Sequence, residues 1–256
     1  DLDESILRGN KAANGGALYV GKGSRVKVSS TKLYTNLADN GGAIMVRDST
    51  FILNSEVFNN ASHDSGGGIC NDSNSLLLIN NVITKNTADV KGGGLSFNLD
   101  STRPEKTVVI NTIIWDNTCA SDSTHNIYGL SPNSGSSRQY INCRIEDFDE
   151  CRYTYSADVI DDDPLFIDPV SNNFGPEYYS SCIDDGLVLP YYLDTFQRIL
   201  YPDDIDRVMY GSNYDIGSTE HPGTRVCEIS PSILRFGEVA LGDTLCMVLL
   251  IQNYND

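Results

Sequence analysis

Residues 33–44 read LYTNLADNGGAI, and the pattern recurs in residues 7–18 (LRGNKAANGGAL), 57–69 (VFNNASHDSGGGI) and 83–95 (ITKNTADVKGGGL). Each stretch begins with an aliphatic residue, has asparagine three residues later, and ends with two glycines, a small residue and an aliphatic residue. The final aliphatic residue moves from position 18 to 44, 69 and 95, in steps of 26, 25 and 26 residues. Self-similarity at a fixed period of this length is the signature of a repeat architecture.

The repeat extends beyond these four stretches. The aliphatic residue and the asparagine after it form two registers: Leu7, Leu33, Val57, Ile83 and Ile114, and Asn10, Asn36, Asn60, Asn86 and Asn117. A third register alternates apolar and variable positions, and we align it as Val26/Val28, Phe51/Leu53, Leu77/Ile79 and Val108/Ile110. The pairs Ile79-Asn80, Ile110-Asn111 and Ile141-Asn142 continue this register in steps of 31 residues. Inserts at 100–105 and 131–137 explain why these steps are longer than 25 or 26 residues.

Each repeat contains three short apolar runs separated by Gly, Asn, Ser or Asp, which predicts three strands and three turns. One such unit cannot bury its own apolar side, whereas parallel stacking places like residues above like and closes a continuous core. Glycine permits the turns, and stacked asparagines form side-chain amide ladders. The sequence therefore predicts an all-β, right-handed parallel β-helix in which the five aliphatic residues of the first register lie one above another.

The helical coils are predicted to occupy residues 1–150. The chain enters the pattern partway through a coil, so we expect earlier coils or a cap to precede it. Phe148 stands where the register calls for asparagine, which predicts that the coils close near residue 150. The acidic start, Asp1-Leu2-Asp3-Glu4, has no signal-peptide layout, and we expect a removed leader or a fragment.

Composition limits the function. The net charge of −17 argues against a broad basic face for nucleic acid or anionic lipid, and is compatible with divalent cations. Seven cysteines include no C-x-x-C pair, so zinc-ribbon and thioredoxin-type interpretations lack their spacing, and single buried thiols are expected. Because the number is odd, at least one thiol is free or pairs outside the chain. No apolar run reaches the roughly 18 residues that span a bilayer.

The coil motif resembles the repeats of chlamydial polymorphic outer membrane proteins and of bacterial right-handed β-helix proteins. Residues 163–169 (DPLFIDP), 181–186 (SCIDDG), 197–199 (QRI) and 214–220 (YDIGSTE) resemble the closing region of choice-of-anchor Q proteins, with serine at 181 and 218 where that family usually has proline and alanine. We assign residues 151–222 to this closing region. The resemblance implies a bacterial protein that is extracellular or displayed on the cell surface.

Residues 227–242 resemble the first strands of the abnormal-spindle-like immunoglobulin module. We therefore expect residues 223–256 to be the start of such a β-sandwich, truncated because a complete one needs about 100 residues.

An enzyme is the main alternative. A β-helical polysaccharide lyase needs acidic residues that hold Ca²⁺ and a basic group, and an inverting hydrolase needs two spaced carboxylates. The three histidines, His63, His125 and His221, lie in no such motif, and the bases Arg47, Lys85 and Lys91 show no pairing pattern with acids. Nucleophile elbows and phosphate loops are also missing from the sequence.

Acidic residues cluster at 161–163, 184–185 and 203–206, which we interpret as solvated loop charge. The alternative is a structural Ca²⁺ site at Asp161 and Asp163, although no EF-hand motif supports it. Tyrosines of the closing region, at 178–179, 191–192, 201, 210 and 214, could stack on sugars, but capping of the open helix end explains them more simply.

We therefore predict a non-catalytic surface protein, a β-helical stalk or adhesin module for binding or assembly, with no catalytic or cofactor-binding residues. Its partner would be a glycan or a surface protein, and self-association through the coil ends is a further option. The alternative is a carbohydrate-active β-helix, either a glycan-binding module or a polysaccharide lyase.

Overall fold

The computed structural model describes residues 1–73, 75–98, 106–121, 126–129, 137–148, 155–187, 192–193, 199–200, 214–221, 227–230 and 250–253. The regular elements in these ranges are all β-strands. None of the described residues forms a helix that is long and apolar enough to cross a membrane.

A complete coil contains four short strands, and corresponding strands of successive coils pair in parallel to form four columns. Column 1 consists of Leu2–Asp3, Val26–Ser29, Thr50–Leu53, Ser75–Ile79, Lys106–Ile110 and the first part of Ser137–Ile145. Column 2 consists of Ile6–Arg8, Lys32–Tyr34, Glu56–Phe58, Val82–Thr84, Ile113–Trp115 and the second part of Ser137–Ile145.

Columns 3 and 4 complete each coil. Column 3 consists of Leu37–Asn40, Ala61–Ser65, Thr87–Ala88 and Thr118–Cys119. Column 4 consists of Leu18–Val20, Ile44–Val46, Ile69–Asn71, Leu95–Phe97 and Ile127–Tyr128. The sequence predicted three strands in each coil. The structure has four, because a residue with positive φ divides the longest apolar run into columns 1 and 2 at Ser30, Asn54, Asn80 and Asn111.

The predicted stack of aliphatic residues is confirmed. In column 2, Leu7 pairs with Leu33, Leu33 with Val57, Val57 with Ile83, and Ile83 with Ile114. Their side chains belong to one interior cluster with the inward residues of columns 1 and 4, and four of the five are fully buried. Parallel pairing around a continuous apolar interior makes this part of the chain a parallel β-solenoid.

One predicted register is wrong by a single residue. Val26 and Val28 pair with Thr50 and Ile52, not with Phe51 and Leu53. Ile52 points into the solenoid, whereas Phe51 belongs to a separate cluster of buried side chains on the outer face of column 1. Because Phe51, Ile52 and Leu53 are all apolar, alternation in this strand does not distinguish the inward from the outward set.

The asparagine register forms a continuous ladder. Each Nδ2 donates to the Oδ1 of the next asparagine in the ladder, at 3.0, 2.9, 2.9, 2.9 and 2.8 Å along Asn10, Asn36, Asn60, Asn86, Asn117 and Asn126. The last rung was not predicted: Asn126, rather than a residue near Phe148, receives the bond from Asn117. Phe148 instead packs edge-on against Tyr140, with ring centroids 5.5 Å apart.

A second ladder lies inside the corner between columns 1 and 2. The backbone N–H of Thr31 donates to Ser55 Oγ, that of Ser55 to Asn81 Oδ1, and that of Asn81 to Thr112 Oγ1, at 2.9–3.3 Å. All four side chains are fully buried. Each ladder therefore satisfies backbone donors at a corner that strand pairing alone leaves without partners.

The glycine pair has two separate roles. The first glycine, such as Gly41 or Gly66, has φ near +65°. The second has no room for a side chain, because a Cβ on Gly67 would lie 2.2 Å from the backbone oxygen of Thr87 in the next coil.

Parallel pairing continues beyond the predicted boundary at residue 150, since Tyr155–Ile160 pairs with Ser137–Ile145.

Within the described ranges, three antiparallel strand pairs follow the coils: Phe166–Asp168 with Asn173–Pro176, Tyr192–Leu193 with Ile199–Leu200, and Cys227–Ser230 with Leu250–Asn253. Most of residues 223–256, the predicted immunoglobulin-like start, lie outside the described residues.

Candidate functional site

The closing region folds back along the outer face of column 2. Its buried residues Phe174, Cys182 and Ile216 form one apolar cluster with outward side chains of the coils, including Phe58 and Ile113. The ring of Phe58 stacks on Tyr34 of the preceding coil at 4.8 Å and meets Phe174 edge-on at 5.0 Å. The described part of the closing region therefore covers a side of the solenoid.

A buried arginine attaches the closing region to the last described coils. Arg144 is 1% exposed, and its Nη2 donates to Asp185 Oδ2 at 2.5 Å and to the backbone oxygen of Ser181 at 3.0 Å. Its Nε donates to Ser181 Oγ at 3.1 Å. Asn142 Nδ2 donates to the backbone oxygen of Asp185. The SCIDDG segment is thus the part of the closing region that binds Arg144.

A cleft of about 250 Å³ lies where the closing region meets the corner between columns 2 and 3. Its charged lining consists of Lys85, Asp116, Asp163 and Glu177. Its apolar lining consists of Trp115, Leu165, Phe166 and Pro169. We call it the Lys85–Trp115 cleft, and it is the candidate functional site.

The corner itself places two charged residues in the cleft. Lys85 and Asp116 occupy equivalent positions in successive coils, both with positive φ, at 55° and 54°. Each directly precedes an asparagine of the ladder, Asn86 or Asn117, whose buried side chain fixes the backbone there. Both side chains therefore project outward from a corner that the ladder holds in place.

Lys85 and Asp116 each donate a hydrogen bond at this corner. Lys85 Nζ donates to the backbone oxygen of Pro169 at 2.6 Å, which joins the coil to the closing region. The Asp116 N–H donates to Glu146 Oε2 at 2.9 Å. Burial raises the pKa of the Asp116 carboxyl above its usual value; the Lys85 ammonium opposes this rise and the Glu146 carboxylate adds to it.

The opposite wall comes from the DPLFIDP segment. Asp163 Oδ1 accepts the N–H of Leu165 at 2.9 Å, and Leu165 has a φ of 48°, unusual for a bulky residue. The next residue, Phe166, turns inward to meet Phe174 edge-on at 5.4 Å. Asp163 and Leu165, at this tight turn, line the cleft together with Trp115.

Comparison with protein-family models gave no match to the chain, and no curated protein or solved structure matches it. The likeness to choice-of-anchor Q and polymorphic outer membrane proteins therefore depends on the sequence motifs alone. The fold that the structure establishes is the parallel β-solenoid.

Each of the two proposed calcium residues accepts a backbone hydrogen bond. Asp161 accepts the N–H of Asp147 at 3.3 Å, and Asp163 accepts that of Leu165. Among the described residues, no group of three His, Cys, Asp or Glu side chains is arranged to hold a metal ion. Of the other acidic clusters, Asp185 binds Arg144, Asp184 donates its N–H to Asp215 at 2.8 Å, and residues 203–206 lie outside the described ranges.

The candidate bases are dispersed over the solenoid. His63 lies in the strand Ala61–Ser65, exposed, with Nδ1 3.3 Å from Asp89 Oδ2. Arg47 pairs with Asp72 at 3.3 Å, and Lys91 lies over the Tyr128 ring, 5.2 Å from its centroid. His125 lies outside the described residues. Lys85 alone of the three predicted basic candidates lines the cleft.

Four of the described cysteines are buried, as predicted: Cys70, Cys119, Cys143 and Cys182. Burial raises the pKa of Cys143 to about 12 and those of Cys70 and Cys182 to about 11, so these thiols stay protonated and unreactive at neutral pH. The side chains of Cys151, Cys227 and Cys246 lie outside the described residues.

Proposed function

We propose that this protein is a non-catalytic extracellular or cell-surface protein of bacterial type that presents its β-solenoid as a stalk for binding or assembly. The observation that carries the proposal is the uninterrupted asparagine ladder, with bonds of 2.8–3.0 Å through six successive asparagines. This hydrogen-bonded polar ladder, buried from Asn36 to Asn126, makes the solenoid stiff along its axis, which is the mechanical property that a stalk requires.

The finer family assignment belongs to the same proposal. The Gly-Gly repeats and the closing motifs support a right-handed β-helix of the choice-of-anchor Q or polymorphic outer membrane type. The antiparallel pairing of Cys227–Ser230 with Leu250–Asn253 is compatible with the start of an immunoglobulin-like sandwich. Self-association through solenoid ends is included, because the edge strands of a parallel stack present unpaired N–H and C=O groups.

Two measurements on the native protein test this function. Protease added to intact producing cells should cleave the protein while leaving a cytoplasmic marker whole. The purified chain, incubated with a polysaccharide panel with and without Ca²⁺, should give no unsaturated product by ultraviolet absorbance. Protection on intact cells, or turnover of any polysaccharide, would refute the proposal.

A second candidate, a carbohydrate-active β-helix, is favoured by the Lys85–Trp115 cleft. The cleft combines an indole with three carboxylates and one ammonium group. Turnover in the absorbance assay would select the lyase form, and binding without turnover would select a glycan-binding module.

A further inference from the structure

The hydrogen-bonding groups of the Lys85–Trp115 cleft define what a ligand must supply. Three of its four charged side chains are carboxylates, Asp116, Asp163 and Glu177, which only accept hydrogen bonds when ionised. The fourth, Lys85, already donates one hydrogen bond to the backbone oxygen of Pro169. A complementary ligand must therefore bring several donors.

The apolar lining adds a second requirement. Trp115 is half-buried, and together with Leu165 and Phe166 it gives the cleft an aromatic and aliphatic surface. Contact with such a surface favours binding only when the ligand has a flat or weakly polar face of its own. A simple polyol or a small ion has no such face, whereas a sugar ring carries hydroxyl donors at its edge and C–H groups on its face.

Size and charge narrow the class further. The volume of about 250 Å³ is below the roughly 300 Å³ at which pockets for drug-sized ligands begin, so the cleft accommodates one ring. With the carboxylates ionised, the lining carries three negative charges and one positive charge. A uronic acid would add a fourth carboxylate to this group, and like charges at short range disfavour it.

We propose that the Lys85–Trp115 cleft binds a single uncharged sugar ring of a glycan, with the ring face against Trp115 and its hydroxyls donating to the carboxylates. This assigns a site and a ligand class to the binding role proposed above and depends on that role. The stalk function does not depend on it. Uncharged glycans are thereby favoured over the uronate polymers that polysaccharide lyases cleave.

The test is calorimetric titration of the whole chain with neutral tetrasaccharides built from glucose, galactose, mannose or N-acetylglucosamine, and with oligogalacturonate. We compare Glu177→Ala and Trp115→Phe with the control Asp162→Ala, an exposed acid next to Asp163 that does not line the cleft. Each cleft variant should weaken binding of a neutral sugar about tenfold, the effect of losing one charge-assisted hydrogen bond or much of the ring contact. The control should leave affinity unchanged.

Three results would overturn the site: no neutral tetrasaccharide binds at millimolar concentration, oligogalacturonate binds more tightly than any of them, or affinity survives either cleft substitution. Circular dichroism and the melting temperature establish whether each variant folds. If Trp115→Phe does not fold, the affinity of Glu177→Ala alone tests the site. If the titrations fail while the protein is displayed at the surface and turns over no polysaccharide, sugar binding by the cleft is rejected. The stalk proposal is then unaffected.

Discussion

Within the asparagine ladder, replacing Asn60 by alanine should destabilise the solenoid far more than replacing Asn10 by alanine. Asn60 is 1% exposed. Its Oδ1 accepts two hydrogen bonds from Asn36, one from the backbone N–H at 3.0 Å and one from the side-chain Nδ2 at 2.9 Å. Its own Nδ2 lies 2.9–3.0 Å from the backbone oxygens of Leu33 and Phe58 and from Asn86 Oδ1. Asn60→Ala removes all five of these contacts from the buried interior.

The expected cost follows from what remains. Asn36 Nδ2 keeps its bond to the Leu7 oxygen and Asn86 Oδ1 keeps the Asn60 N–H, whereas the Asn36 N–H loses the acceptor that Asn60 provided. An orphaned buried donor costs about 1–3 kcal/mol, and the other lost bonds with the cavity add a similar amount. We expect a loss of about 3–5 kcal/mol in the free energy of unfolding.

Asn10→Ala is the matched control, because this residue belongs to the same ladder but is exposed and contributes one side-chain donor, to Asn36 Oδ1 at 3.0 Å. Its replacement should cost about 0–1 kcal/mol. Urea unfolding followed by the fluorescence of Trp115, the single tryptophan, measures both. Hydrogen exchange then shows whether the loss centres on the neighbouring coils. Equal destabilisation by the two substitutions would refute the reasoning.

Three other changes test other parts of the fold. Gly67→Ala should prevent correct stacking, because its Cβ would meet backbone of the next coil at 2.2 Å, whereas Gly21→Ala meets only a side-chain atom at 3.5 Å; circular dichroism separates the two. Arg144→Met should speed proteolysis within residues 160–187, and Arg8→Met, an exposed arginine on the same column, should not. For Cys143, whose pKa is raised to about 12, the unfolded thiol ionises from about pH 9 while the folded thiol stays protonated. Between pH 9 and 12, the free energy of unfolding should therefore fall by about 1.4 kcal/mol per pH unit relative to that of Cys143→Ala. The same dependence on pH in the two proteins would contradict this.

The sequence predicted the solenoid because its strongest signals are spaced by one coil. Glycine pairs, aliphatic residues and asparagines each report one position of the coil, and steric and hydrogen-bonding demands restrict those positions to few residue types. The register in column 1 escaped prediction, since Phe51 and Ile52 are both apolar and both buried, on opposite faces. The rung at Asn126 escaped as well, because it follows Asn117 by nine residues, outside the repeat period.

The candidate site could not be predicted in the same way. Its two walls are far apart in the chain, at Lys85 and Asp116 on one side and at Asp163 to Glu177 on the other. Only the folding of the closing region against column 2 brings them together. One signal was present: the residue before the ladder asparagine is Gly9, Thr35 or Asn59 in the first coils and is charged in the next two.

That arrangement separates the parts of the coil that maintain the fold from those that are free to vary. The ladder asparagine points inward and fixes the backbone, while the residue before it points outward with positive φ. Variation at this outer corner can change the surface chemistry without disturbing a rung, and it presents side chains on a backbone that is already ordered. Asn86→Ala should therefore weaken both the stability and any ligand binding by the cleft. Lys85→Ala should affect the cleft while leaving the coil intact, and this contrast distinguishes a binding corner from a structural one.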